Sequence, residues 1–115
     1  MTESIRSDSF QAYRNRAEEG PVTMLNLLKF KPEGAALYAQ YAAKVGPMLQ
    51  KVGGHAVYAG KGAELLIGRD DEDWDMVLLI TYPRRADLLR MIGSEEYQKI
   101  VHLRNDALAR SVLLA

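Results

Sequence analysis

Two runs constrain this chain more than any other feature. VTMLNLLKF, from Val22 to Phe30, and MVLLITY, from Met76 to Tyr82, carry apolar residues on both parities. Successive side chains of a strand point to opposite faces. A strand with one wet face therefore alternates, whereas a strand that is apolar throughout is covered on both sides. Both runs call for a sheet with two covers. At 115 residues the chain fits one domain and can bury a core without staples.

The segments around these runs predict the remaining elements. Phe10, Tyr13 and Ala17 are spaced as on a short helix, with Asp8 or Ser9 as its cap, and Gly20-Pro21 ends it. Ala35, Tyr38, Ala42, Val45, Leu49 and Val52 form one stripe at helical period, with Gly46-Pro47 as an expected kink and Gly53-Gly54 as the stop. HAVYAG (55–60) reads as a strand, and after the Lys61-Gly62 turn AELLIG (63–68) reads as a short return strand. Beyond Pro83 helical stretches are expected over 84–92 and 94–108, then a last strand over 110–114.

The order β-α-β-(β)-β-α-α-β is the split βαβ arrangement. It predicts an α+β, ferredoxin-like fold: a four-stranded antiparallel sheet with its helices on one face. Residues 1–20 form an N-terminal helical appendage, and 21–115 form the main domain. The helices cover only one face, yet the central strands are apolar on both. A large apolar face is rarely left in water, so a homodimer packed sheet to sheet is expected.

Composition narrows the function. There is no cysteine, which removes disulfides, zinc–thiolate and iron–sulfur sites, and a cysteine nucleophile. Fifteen Lys+Arg balance fifteen Asp+Glu, so no general attraction to nucleic acid or anionic lipid exists. RNA-recognition modules of this topology show aromatic residues on the central strands; these strands are mainly aliphatic. The N-terminus has no apolar signal region. No run approaches the roughly 20 residues of a membrane span. The expectation is a cytoplasmic protein with no nucleic-acid or membrane partner.

Four pieces carry a family resemblance: ALYAQYAAKVGPML on the first long helix, Gly53-Gly54, Trp74-Asp75 before MVLLITYP, and Ser94-Glu95-Glu96-Tyr97-Gln98 leading to His102-Leu103-Arg104. Together they resemble the domain-of-unknown-function 1330 family of the dimeric α+β barrel superfamily. The resemblance spans about 21–114 and implies a ferredoxin-like protomer in a barrel-forming dimer. It implies no defined reaction, and superfamily relatives include cofactor-free monooxygenases, lyases and haem-handling enzymes. Similar sequences often carry a glutamate in the third strand where this chain has Thr81.

The candidate site residues are few. His55 and His102, the only histidines, are the candidate general bases near neutral pH; a packing or surface role is the favoured alternative for each. Tyr38, Tyr82 and Tyr97 suit a pocket rim, or simple core packing. Arg104 suits a carboxylate clamp, or an ion pair with Glu95, Glu96 or Asp106. Asn26 shares its parity with Met24, Leu28 and Phe30; a buried amide without a partner costs about 1–3 kcal/mol. Either the core or dimer interface satisfies it, or it faces a helix–sheet pocket. Asp70–Asp75 (DDEDWD) places Asp71, Asp73 and Asp75 at the first, third and fifth positions of a calcium loop, but Met76 replaces the glycine and Tyr82 the glutamate. A solvated hairpin tip is favoured, and no metal or cofactor is expected. Arg84-Arg85 oppose the dipole at a helix start and read as surface arginines.

The function expected is small-molecule binding, or cofactor-independent catalysis on a small oxygenated or acidic metabolite. The alternative is a non-catalytic structural or ligand-binding homodimer.

Overall fold

A computed structural model describes residues 5–115; the first four residues of the expected 1–20 appendage lie outside the described residues. The elements are α1 (Ser7–Asn15), β1 (Val22–Phe30), α2 (Gly34–Lys51), β2 (His55–Lys61), β3 (Met76–Tyr82), α3 (Arg85–Ile92), α4 (Glu95–Gln98), α5 (Val101–Ala107) and β4 (Leu108–Leu114). The sheet order is β2-β3-β1-β4, with every neighbouring pair antiparallel. This is the expected ferredoxin-like sheet, and the two fully apolar runs are its two central strands.

Register assigns the faces. Val22, Met24, Asn26 and Leu28 stand opposite Tyr82, Ile80, Leu78 and Met76. Those apolar residues pack with Tyr38, Tyr41, Leu88, Met91 and Tyr97 from the helices, so this is the helix-covered face. Met24 and Leu28 are essentially sealed, and burying each side chain contributes about 1.5–3 kcal/mol. The opposite face carries Leu25, Leu27, Val77, Leu79 and Val112, each half-buried and outside the core cluster. On that open face the Thr81 hydroxyl lies 2.8 Å from that of Thr23.

The helix α2 runs through Pro47 without a break. Its buried stripe falls on Gly34, Tyr38 and Tyr41 and leaves Ala35 and Ala42 exposed. The stripe is rotated because α2 must serve two neighbours, the sheet and α5. At its start a Cβ on Gly34 would lie 2.1 Å from the Ala107 carbonyl oxygen. Only glycine admits that approach, and Lys31 N–H donates to the same oxygen at 2.9 Å. At its end Gly53 takes φ +82°, the left-handed conformation that closes a helix.

Three local expectations change. Residues 63–68 form no strand; after Lys61 the chain leaves the sheet instead of folding back along β2, which stays an edge strand. The expected helix over 94–108 divides into α4 and α5, because buried Ile100 turns the chain between them. The arginines at the α3 start are anchored rather than loose. Asp87 accepts from Arg84 N–H at 2.9 Å and from the side chains of Arg84 and Arg90. Burial pushes the Asp87 carboxyl up, but these hydrogen bonds and the Arg84 charge outweigh it and hold the group below its ordinary value. Arg85 stacks over the Tyr13 ring at 4.9 Å, while the Tyr13 hydroxyl donates to the Arg85 carbonyl at 2.8 Å. These contacts dock α1 on the start of α3.

The acidic loop is tied down by cations. Lys29 Nζ donates to Asp73 Oδ2 at 3.0 Å, Phe30 N–H donates to Asp75 Oδ2 at 2.8 Å, and Arg69 lies 3.4 Å from Asp71. Arg110 stacks over the Trp74 ring at 4.6 Å, so Trp74 packs at the sheet end. Among the described residues no helix is long and apolar enough to cross a membrane.

Candidate functional site

The helix–sheet interior is rich in tyrosine. Ring centroids step from Phe30 to Tyr38 (5.6 Å), to Tyr41 (5.4 Å) and to Tyr97 (6.2 Å, edge-on). Each position follows from local structure. Tyr38 and Tyr41 sit three residues apart on the buried stripe of α2, which places them on one face. Tyr97 is fixed by the Ser94 cap, whose hydroxyl accepts from Tyr97 N–H at 3.1 Å. Tyr82 ends β3 beneath the helices.

The hydroxyls differ in their partners. Those of Tyr41 and Tyr97 hydrogen-bond to each other at 3.0 Å. The hydroxyls of Tyr38 and Tyr82 make no hydrogen bond among the described residues, yet neither is sealed from water, although both residues are buried. Each therefore keeps some access to solvent, and Tyr38 lines an open groove. Burial drives the Tyr38, Tyr41 and Tyr82 hydroxyls above their ordinary value; neighbouring tyrosines reinforce the rise, and the Arg104 charge opposes it at Tyr38 and Tyr41. These hydroxyls are neutral near pH 7, able to donate and accept hydrogen bonds but not to act as phenolate bases.

Arg104 is the unusual member. It is half-buried on α5, within electrostatic reach of Tyr38 and Tyr41. The expected ion pair with Glu95, Glu96 or Asp106 does not form, and Glu96 instead lies 3.6 Å from Lys51. Glu96 on α4 thus faces the last turn of α2. Among the described residues Arg104 has no ion pair and no side-chain hydrogen bond.

The other candidates scatter. Asn26 lies on the helix-covered face by register, between Met24 and Leu28 and opposite Leu78 and Leu113. Its amide makes no side-chain hydrogen bond among the described residues, and its polar atoms are not sealed. His102 is exposed; two residues from Arg104 on the same helix, it points about 200° away. His55 is exposed at the start of β2, on the open face opposite Thr81. The structure thus gathers Tyr38, Tyr82, Tyr97 and Arg104, adds Tyr41, and leaves both histidines outside. Tyr41 was visible in the sequence as the i+3 neighbour of Tyr38.

A family model for a domain of unknown function, DUF1330, matches residues 24–115. The chain belongs to the DUF1330 family. A crystal structure of the RPA0582 protein of unknown function from Rhodopseudomonas palustris is 33% identical, with a TM-score of 0.88 over 96% of this chain and 92% of that one. Hydroxynitrile lyase from Passiflora edulis shares the fold at 14% identity, with a TM-score of 0.63 over 83% of this chain and 90% of that one. A dimeric protein of unknown function with a ferredoxin-like fold from Bacteroides fragilis does so at 11% identity, with a TM-score of 0.55 over 84% and 94%. The search of curated proteins returned no match. The chain thus shares a ferredoxin-like fold with these proteins.

Proposed function

We propose that this DUF1330 protein is a homodimer whose helix–sheet interior binds a small acidic or oxygenated metabolite without a cofactor. One observation carries the reading: Arg104 is a half-buried cation with no counter-charge among the described residues, beside buried hydroxyls that remain unsealed. A carboxylate supplies the missing charge, and hydrogen bonds to charged groups contribute about 1.5–3 kcal/mol each. The neutral hydroxyls of Tyr38 and Tyr82 add donors for a second oxygen. The same donors stabilise negative charge that develops on a ligand carbonyl. The Passiflora lyase supports small-molecule chemistry on this fold.

The dimer reading rests on the open face, where five aliphatic side chains of the three strands β1, β3 and β4 lie half-exposed side by side. A second copy of that face completes the burial.

Binding without catalysis is the second reading. It is favoured by the surface positions of His55 and His102, which leave no imidazole among the hydroxyls.

Calorimetric titration with pyruvate, glyoxylate and acetoacetate tests the site. Arg104→Gln is expected to lose about tenfold or more in affinity, the loss of one charge-assisted contact. Equal binding by Arg104→Gln, or no binding of any acid by the native protein, refutes the site. Exchange of the ligand α-proton in heavy water, followed by NMR, separates catalysis from binding.

A further inference from the structure

Beside α2 lies an open groove of ≈ 780 Å³, lined by Ala35, Ala39 and Ala42. It meets the Arg104 cluster at Tyr38, but Arg104, Tyr82 and Tyr97 do not line it. The sequence placed Ala35 and Ala42 in the core stripe; the structure leaves them exposed along this groove. The helix layer stops short of β2, so Ala56 and Ala59 on its inner side stay exposed too. Phe30, Pro32, Tyr38 and Met76 also line the groove.

The charges at the mouth are asymmetric. Lys31 and Lys61 line it, both exposed and neither ion-paired among the described residues. The one carboxylate among the described lining residues, Asp75, is already engaged by Phe30 N–H and lies 3.6 Å from Lys29. The groove therefore presents an apolar floor and a net cationic rim. Its volume falls within the range of small-molecule sites, about 300–1,000 Å³. Gly62 also lines it, and the loop leaving Gly62 carries Leu66 and Ile67 at 88% and 95% exposure.

We infer that this groove is a binding site for an amphipathic anion, a carboxylate with a hydrocarbon body. The hydrocarbon lies along Ala35, Ala39 and Ala42 against Phe30 and Met76, and the carboxylate meets Lys61 or Lys31. The assignment does not depend on Arg104.

The probe is decanoate, used below micelle formation, titrated calorimetrically into the full chain with octanoate and acetate beside it. Saturable decanoate binding is expected, weakening by up to roughly fourfold per methylene removed, with none for acetate. Ala39→Glu fills the groove with a carboxylate from an exposed helix position, and Lys61→Glu reverses the rim. Each is expected to lose about tenfold or more in affinity, while Arg104→Gln binds decanoate like the native protein. Thermal unfolding confirms that the variants fold. No saturable binding, or undiminished binding in Ala39→Glu, overturns the inference. Dissociation of the oligomer by decanoate, reproduced by Leu66→Ser with Ile67→Ser, also overturns it by assigning the groove to the loop of a second copy.

Discussion

The hydroxyl pair of Tyr41 and Tyr97 offers the most direct measure of the site. The oxygens lie 3.0 Å apart between side chains that are 7% and 8% exposed. Tyr41→Phe keeps the ring and its edge-on contact with Tyr97, so aromatic packing survives. It removes one hydroxyl and leaves the other without its partner in a poorly solvated place. That costs about 1–2 kcal/mol, or a fall in Tm of roughly 4–8 °C for a chain of this size. Tyr97→Phe costs a similar amount for the same reason. The double variant leaves no orphan, so its loss is smaller than the sum of the two, by about 0.5–1.5 kcal/mol. Urea unfolding at constant m gives the three values. Additivity within about 0.3 kcal/mol refutes the pairing. The pair also predicts an alkaline effect. Burial, then the neighbouring Tyr97, raises the Tyr41 hydroxyl above 10.0, so the folded state holds that proton more tightly than the unfolded chain. The associated stability is complete below pH 10.0 and declines as the pH rises toward the folded value. Native protein therefore loses stability above that pH more steeply than Tyr41→Phe, as urea midpoints measured across the alkaline range will show.

Other perturbations have equally definite outcomes. Asp87→Asn removes a carboxylate that is 2% exposed and caps α3; a loss of about 1–3 kcal/mol is expected in urea unfolding. Because the Asp87 carboxyl is held below its ordinary 3.8, its contribution is present above that pH and vanishes as the pH falls through the folded value. The acid limb of stability is thus shallower in Asp87→Asn, and identical limbs contradict the assignment. Gly34→Ala drives a methyl to 2.1 Å from a backbone oxygen that cannot rotate away. An overpacking cost of about 1–3 kcal/mol follows, and an unchanged Tm contradicts the close approach. Leu79→Lys places a charge at the centre of the open face, opposite Leu25 and Tyr58. Sedimentation is expected to report monomer, whereas persistent dimer excludes this face as the interface.

Much of the fold was legible because its signals are local. The bounds of β1 and β3 agree with the runs Val22–Phe30 and Met76–Tyr82, since unbroken apolar runs between turn residues leave few other readings. The order of elements then specifies the sheet, and Ser94 signals the cap that orients Tyr97. Partnerships between distant segments were less legible. Residues 63–68 have strand composition, yet the chain leaves the sheet after Lys61 instead of folding back along the edge strand β2. The turn at Ile100 carries no glycine or proline to announce it; burial of one side chain imposes it.

By itself the sequence determined the types of the main elements, the order of the four strands and the two parities of the central ones, because backbone sterics and apolar spacing act within a few residues. It placed Asn26 with Met24 and Leu28 but did not say which face the helices cover, since Leu25 and Leu27 are as apolar as their neighbours. Tertiary structure decided that face. It also separated His102 from the tyrosines, moved Glu96 to Lys51 and left Arg104 without a counter-charge among the described residues. The reason is physical: a charge on a helix is paired or unpaired according to where other helices pack, and packing is settled by the whole core.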